Sequence, residues 1–165
     1  MSFIRIKTRK NAKGDIIEYA YLVSNSWKKR MKMPRQKVAG YFGKIYRFNK
    51  IERGFEIGSG DFHSEIKRLI ENELYSIGLI KRDGKFVNDS VVVDLDGLKV
   101  LNNNGKECVI MVNDGFICSW SLKKLFEIDT PKVEDASFIA KSLRMAGLSI
   151  DGENFVRLLR VEGNL

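Results

Sequence analysis

Side-chain character alternates with a period of two residues over residues 3–10, and this pattern limits the local structure more than any other in the chain. Two isoleucines alternate there with three cations, namely Ile4, Ile6, Arg5, Lys7 and Arg9. Successive side chains of a β-strand project to opposite faces, so the pattern predicts a half-buried strand with one basic face.

Two further segments extend this strand into a sheet. Residues 11–15 include Gly14 and are typical of a turn, and residues 16–24 are rich in β-branched and aromatic side chains, so together they predict a hairpin. Residues 25–34 are expected to form a basic loop, and residues 35–42 alternate again. In this second alternation, the basic face carries Arg35, Lys37 and Tyr41, and the apolar face carries Val38 and Phe42. The sequence therefore predicts a three-stranded antiparallel sheet with one apolar and one basic face.

Charge is distributed very unevenly along the chain. The 165 residues carry 29 Lys+Arg and 21 Asp+Glu, a formal charge of +8. Residues 1–50 hold 14 of the bases and only two acids, Asp15 and Glu18, so this segment carries +12 and the remainder −4. A polycation of this density attracts phosphates, anionic lipid or an acidic partner. Its eight aromatic residues indicate that the segment folds and is not a low-complexity basic arm.

The rest of the chain predicts a mixed body. Glycines at 54, 58 and 60 predict a linker over residues 51–60. Asp61 is a favourable N-cap, and apolar residues at helical spacing predict a helix that stops at Gly78. Strand-like segments separated by turn signals such as Asp96-Gly97 predict a four-stranded meander within residues 86–120.

Three C-terminal helices complete the prediction. The first covers about residues 121–128, the second begins at Thr130 with Pro131 in the first turn and stops at Gly147, and the last covers about residues 151–161. The expected fold class is α+β, with a basic nucleic-acid-binding sheet over residues 1–50, a linker over 51–60 and a body over 61–165.

Few residues suggest catalysis. His63 is the only histidine, which excludes a His-pair metal site within one chain, and we interpret it as a bystander at a helix start. Asp94 and Asp96 could hold Mg²⁺ if another carboxylate joined them, but Asp96 precedes a glycine and is explained as a turn residue. We therefore expect a non-enzymatic protein with no cofactor and no bound metal.

Membrane insertion is not indicated by the sequence. The uncharged apolar runs, such as 108–112, are far shorter than the roughly 18 residues of a spanning helix, and the N-terminus lacks a signal-type apolar stretch. We expect a soluble, cytoplasmic protein whose two cysteines are reduced and buried.

The basic face, with its interleaved tyrosines, is the candidate binding site. Strands can enter the major groove of DNA, where Arg reads guanine edges while Lys and Tyr hold phosphates. The basic stretch that begins at Trp27 is expected to contact the backbone beside the sheet. The predicted DNA-binding residues are Arg5, Lys7, Arg9, Lys10, Tyr19, Tyr21, Trp27, Lys28, Lys29, Arg30, Lys32, Arg35, Lys37, Tyr41 and Lys44.

These same residues carry a family resemblance. The Phe3-Ile4-Arg5 strand, the Lys-Gly turn, the strand Glu18-Tyr19-Ala20-Tyr21-Leu22-Val23-Ser24, the run Pro34-Arg35-Gln36-Lys37-Val38 and the ending Tyr41-Phe42-Gly43-Lys44 resemble the N-terminal region of DDE-type insertion-sequence transposases. The resemblance covers residues 3–48 and implies binding to transposon-end DNA. This chain has Phe42 where the family usually has Leu, and the rest of the chain does not offer the large core with three spaced carboxylates that the family's catalysis needs.

The leading hypothesis is a double-stranded DNA-binding protein, a regulator or architectural factor of a mobile element or a virus. Residues 61–165 would then supply stability, self-association as a homodimer or contact with a partner. An RNA-binding module that uses the same sheet is the first alternative, because basic sheets with exposed aromatics also stack unpaired bases. A hydrolase or nuclease that uses Asp94 is the second, and a solvated strand face that serves only solubility is the third.

Overall fold

The structure, a computed structural model, describes residues 2–129 and 135–161. Within these ranges the chain is α+β, as predicted, with nine strands in two sheets and four helices. The strands are β1 (Ser2–Lys10), β2 (Ile16–Lys28), β3 (Met33–Arg47), β4 (Ile80–Arg82), β5 (Lys85–Val87), β6 (Val91–Asp94), β7 (Lys99–Asn102), β8 (Val109–Val112) and β9 (Gly115–Ile117). The helices are α1 (Phe62–Ser76), α2 (Ser119–Phe126), α3 (Ala136–Met145) and α4 (Gly152–Arg160).

The predicted N-terminal antiparallel sheet is confirmed, but its second hairpin is longer than expected. β2 continues to Lys28 and β3 begins at Met33, so the predicted loop over residues 25–34 is mostly strand. Cross-strand pairs such as Asn25 with Gln36 and Trp27 with Pro34 extend the ladder, and only the four residues 29–32 form the loop. Because a regular register carries the hairpin outward, the basic loop becomes the end of a projecting ribbon.

The first sheet also continues into the body of the protein. β3 pairs in parallel with β8, with Ile45 opposite Val109, and β8 pairs with β9 in a hairpin, so the strand order is β1-β2-β3-β8-β9. The four-stranded sheet is therefore built from partly different strands than predicted. The last two segments of the predicted meander join the first sheet, while β4 and β5, just after α1, complete the four-stranded antiparallel sheet with β6 and β7. Val109 and Ile110 are both fully buried, as is typical of a strand covered on both faces.

Gly43 permits the junction between β3 and β8. Its φ of +102° lies in the region that favours glycine, and a Cβ atom at this position would lie 2.2 Å from the carbonyl oxygen of Glu107. The close approach of the two backbones therefore requires the absence of a side chain.

Aspartates cap the starts of α1 and α4, and the cap of α1 is the predicted one. Asp61 accepts a hydrogen bond from the Ser64 amide (2.8 Å) at the start of α1, and Asp151 accepts one from the Asn154 amide (2.9 Å) at the start of α4. The predicted helix start at Thr130 and Pro131 lies outside the described residues. The main core lies between α1, the four-stranded sheet, β8, β9 and the C-terminal helices.

The segment between β3 and α1 has no regular secondary structure, but hydrogen bonds connect it to the helices. The Ile51 amide donates to the Ser76 carbonyl (2.8 Å), and Asn154 binds both the Ile57 amide (2.9 Å) and the Phe55 carbonyl (3.0 Å). The buried carboxylate of Glu65 accepts from the Gly58 amide (2.8 Å). These contacts restrain the direction in which the chain leaves the N-terminal sheet.

Candidate nucleic-acid interface

The register of β1, β2 and β3 separates their side chains into two faces. Residues directly opposite each other in an antiparallel ladder project to the same side. Arg5 is opposite Tyr21, Lys7 is opposite Tyr19, Tyr21 is also opposite Tyr41, and Tyr19 is also opposite Lys44. We call this surface the tyrosine face and define it by Arg5, Lys7, Arg9, Tyr19, Tyr21, Tyr41 and Lys44.

The opposite face is apolar where it meets the body. Ala20, Ile45, Val109 and Cys118 form a small buried cluster, and partly buried side chains pack against it, among them Ile4, Ile6, Phe42 and Trp120. The Phe42 and Trp120 rings stack with their centroids 5.6 Å apart. This packing fixes the orientation of the sheet and leaves the tyrosine face open to solvent.

One part of the predicted basic face is wrong, because Arg35 and Lys37 do not share a face with Tyr41. Val23 is opposite Val38 and Leu22 is opposite Gly40, so Ala39 is an extra residue on β3. Such a bulge shifts the alternation by one position. Arg35 and Lys37 therefore lie opposite Ser26 and Ser24, on the other side of the ribbon.

The same bulge reverses one further expectation on β3, while the expectation for Phe42 is confirmed. Val38, expected on the apolar face, projects to the tyrosine-face side and is 49% exposed. A second irregularity leaves Phe42 between the Tyr21–Tyr41 and Ala20–Gly43 pairs, and Phe42 contributes to the apolar face as predicted.

The remaining predicted residues lie at the edges of the sheet. Lys10 has the same parity along β1 as Ile4 and Ile6, so it projects to their side of the sheet and away from the tyrosine face. Lys29, Arg30 and Lys32 are exposed in the loop that joins β2 to β3, and the backbone of Lys28 lies at the end of β2. Trp27 lies on the same side of the ribbon as Tyr41, further toward the loop. The structure thus brings seven of the predicted residues together, leaves Lys10 at the end of β1 and distributes the others along the projecting hairpin.

Aromatic contacts organise the tyrosine face. The Tyr41 ring lies 5.1 Å from that of Tyr21 and 6.2 Å from that of Tyr19, between centroids. The Lys7 ammonium lies 4.7 Å above the Tyr21 ring, and the Arg9 guanidinium lies 5.9 Å from the Tyr19 ring. Cation–π pairs at exposed sites contribute about 0.5–1 kcal/mol each and restrict the orientation of the cation. The positive groups are therefore partly ordered before any ligand arrives.

Carboxylates do not neutralise this surface. None of the ion pairs found among the described residues involves Arg5, Lys7, Arg9 or Lys44. Glu18, opposite Thr8 on the other face, is paired with Arg47, with 2.7 Å between Oε2 and Nε. The four cations of the tyrosine face are thus available to an external anion.

The ionisation of Tyr41 suits a neutral hydrogen-bond donor. Partial burial, together with the neighbouring hydroxyls of Tyr21 and Tyr19, raises the pKa of Tyr41 above its ordinary value. Its hydroxyl keeps its proton at neutral and mildly alkaline pH, and it can donate to a phosphate oxygen between the cations.

Sequence reasoning missed two groups of residues near this surface. Gln36 accepts a hydrogen bond from the Arg5 guanidinium, which links β1 to β3. Met31 and Met33, at the end of the hairpin, are 65% and 63% exposed. Both methionines lie within a run of Lys and Arg, and apolar residues that interrupt such a basic segment could have indicated an exposed apolar tip.

The residues considered for catalysis have structural roles. Asp94 accepts hydrogen bonds from the amides of Asp96 (3.1 Å) and Gly97 (2.9 Å), so Asp94 also has a turn role, which the sequence had assigned to Asp96 alone. The His63 ring stacks on Phe126 with centroids 6.0 Å apart. In the part of the chain that the structure describes, no group of three or more His, Cys, Asp or Glu side chains is arranged to hold a metal ion.

Comparison with known proteins gives no match for this chain among family models, curated proteins or solved structures. Within residues 2–129 and 135–161, no helix has both the length and the apolar character needed to cross a membrane.

Proposed function

We propose that this protein binds double-stranded DNA, without catalysis, through the tyrosine face of its N-terminal sheet. The observation that carries the proposal is the row of cations Arg5, Lys7 and Arg9, with Lys44 beside it, exposed on one face and free of carboxylate partners among the described residues. The resemblance of residues 3–48 to transposase N-termini supports a role as a regulator or architectural factor of a mobile element.

The spacing of the cations suits a phosphate backbone. Residues two apart on a strand are separated by about 6.8 Å on one face. Phosphates of one DNA strand recur about every 3.4 Å along the helix axis, so a row of cations at this spacing can contact several of them. The charge of −4 on residues 51–165 repels the same phosphates, which directs the ligand to the sheet.

The aromatic contacts favour a duplex over unpaired RNA. Proteins that stack bases present open aromatic rings. Here Lys7 covers the ring of Tyr21 and Arg9 approaches that of Tyr19, so the two rings hold cations instead of offering a stacking platform. Tyr41, at 55% exposure, is the most open tyrosine of the face. We therefore expect the protein to prefer duplex DNA to RNA, and the test below can show the opposite.

The test measures binding of labelled random-sequence duplex, single-stranded DNA and structured RNA by fluorescence anisotropy over a series of salt concentrations. The variant Arg5→Ala/Lys7→Ala/Arg9→Ala removes three cations from the tyrosine face. The matched control, Lys99→Ala/Lys106→Ala/Lys123→Ala, removes the same charge from exposed positions of the body.

Each phosphate contact contributes about −0.9 to the slope of log K against log salt. The tyrosine-face variant should therefore bind duplex more weakly, with a slope smaller in magnitude by about 2.7, while the control stays close to the wild type. Equal losses in the two variants would show that net charge alone attracts DNA. Tighter binding of RNA or single strands than of duplex would replace the proposal with the RNA-binding alternative.

A further inference from the structure

The end of the β2–β3 hairpin projects as a two-stranded ribbon. β1 begins opposite Ser24 with Ser2, and beyond that pair the described strand ladder joins only β2 and β3. We call residues 25–36 the arm, at the base of which Gln36 still accepts a hydrogen bond from the Arg5 guanidinium. Four further residues on β2 carry the arm about 13 Å beyond the three-stranded sheet. The side chains described in the arm are all exposed.

Large apolar side chains cluster at the end of the arm. Trp27, Met31 and Met33 are 64%, 65% and 63% exposed. Trp27 is opposite Pro34 on the tyrosine-face side, Met33 is opposite Lys28 on the other side, and Met31 lies in the loop between them. Single exposed apolar residues are common in proteins. Here Trp27 and Met33 lie on the two sides of one projection and Met31 lies at its apex, so the three form an apolar tip outside the core.

Cations surround this tip. Lys29, Arg30 and Lys32 lie in the same loop, and Arg35 is exposed on the returning strand. The sequence has no acidic residue between Glu18 and Glu52. The arm therefore offers apolar groups for a dry contact and positive groups for phosphates on either side of that contact.

We propose that the arm enters a groove of the duplex held on the tyrosine face and that Met31 inserts between base pairs as a wedge, which bends the DNA. This inference rests on the proposed function and extends it from binding to deformation. A two-stranded β-ribbon fits a DNA groove, and apolar wedges that partly unstack a base step kink the duplex by about 20–90°. Lys29, Arg30 and Lys32 in the loop and Arg35 on the returning strand can then contact phosphates of the groove walls.

The same tip fits a lipid bilayer less well. Arg30 and Lys32 flank Met31 directly, so an apex that inserted into hydrocarbon would draw two charges toward it. Insertion of the tip alone would also leave the tyrosine face without a ligand. A duplex accommodates both surfaces at once, since phosphates lie on either side of any base step.

The experiment follows bending by energy transfer between dyes at the two ends of a duplex of about 30 base pairs, at saturating protein. Wild-type protein should shorten the end-to-end distance. Met31→Ala should bind with affinity within about tenfold of the wild type and with an unchanged salt slope, since no charge is lost, but should bend the duplex less. Met31→Leu, which keeps an apolar wedge, should restore the bend.

Phe138→Ala serves as the matched control because Phe138 is also an exposed apolar residue, at 59%, but lies on α3 outside the arm. It should bend DNA as the wild type does. Binding without shortening, or full bending by Met31→Ala, would overturn the wedge while leaving the proposed function intact. Absence of duplex binding by the wild type would overturn both. Binding to anionic phosphatidylglycerol vesicles that depends on Met31, in place of DNA bending, would assign the tip to membranes.

Discussion

Replacement of Gly43 by alanine should destabilise the protein strongly, because this residue lies where the N-terminal sheet joins the body. A non-glycine residue held at positive φ, here +102°, costs on the order of 1–3 kcal/mol. The added Cβ would also lie 2.2 Å from the Glu107 carbonyl oxygen and 3.0 Å from its carbonyl carbon, which are backbone atoms that cannot rotate away. Overpacking of this kind costs a further 1–3 kcal/mol, approximately, so we expect a loss of about 4 kcal/mol.

Gly14→Ala provides a control for the backbone contribution alone. Gly14 has a similar φ of +85° in the turn between β1 and β2, and nothing lies within 4 Å of a Cβ built there. This variant should lose only about 1–2 kcal/mol. The difference between the two variants therefore isolates the close approach of β3 to the chain that leads into β8.

Thermal and urea unfolding, followed by circular dichroism, measure both losses. For a chain of this size a loss of 1 kcal/mol lowers Tm by about 2–4 °C, so Gly43→Ala should melt about 8–16 °C below the wild type. Fluorescence in a Trp27→Phe background reports on Trp120 alone, whose ring stacks on Phe42 beside the junction. If Gly43→Ala were no less stable than Gly14→Ala, close packing at the junction would be refuted.

Three further predictions concern the helix cap, the thiols and an ion pair. Asp61→Ala removes the acceptor for the Ser64 amide and should cost about 1 kcal/mol in urea unfolding, whereas Asp61→Asn should retain most of the stability. Burial raises the pKa of Cys108 to about 12, and both thiols are buried. A thiol reagent at pH 8 should therefore label them only at the rate at which the protein unfolds. Rapid labelling of the native protein would contradict this. The hydrogen bond from Arg47 lowers the pKa of Glu18 below its ordinary 4.5, so the pair stabilises the fold above that pH and its contribution is lost as the pH falls below it. The stability of the wild type and of Glu18→Gln can be compared by urea unfolding from pH 7 to 3. The difference between them should shrink over the acidic part of that range.

The tyrosine face was predictable in part because period-two alternation is a local property of a strand. Arg5, Lys7 and Arg9 alternate with isoleucines that have a core to contact, and their face follows from that alone. The face of Arg35 and Lys37 depended instead on a bulge at Ala39, whose existence is set by how β3 pairs with β2. A bulge reverses the alternation between the residues before it and those after it, so Arg35 and Lys37 lie on the opposite side from Tyr41.

The length of the arm was underestimated for a related reason. Residues 25–34 contain polar and charged side chains and a proline, which are typical of a loop when taken alone. In the structure the cross-strand partner supplies the hydrogen bonds that prolong the ladder, and Pro34 lies opposite Trp27 in the exposed ribbon. Local composition carries no information about the partner strand, so the true, shorter length of the loop could not be predicted from the sequence.

By itself, the sequence determined the elements whose signals are contained within one segment: the first hairpin, the start of α1 at Asp61, the end of that helix before Gly78, and the concentration of positive charge in the first fifty residues. The parallel pairing of β3 with β8, more than sixty residues later, and the use of one sheet by both the body and the tyrosine face depend on contacts between distant segments. Pairing between distant strands is selected by the burial of whole surfaces against each other, and that free energy belongs to the folded chain and not to any of its segments.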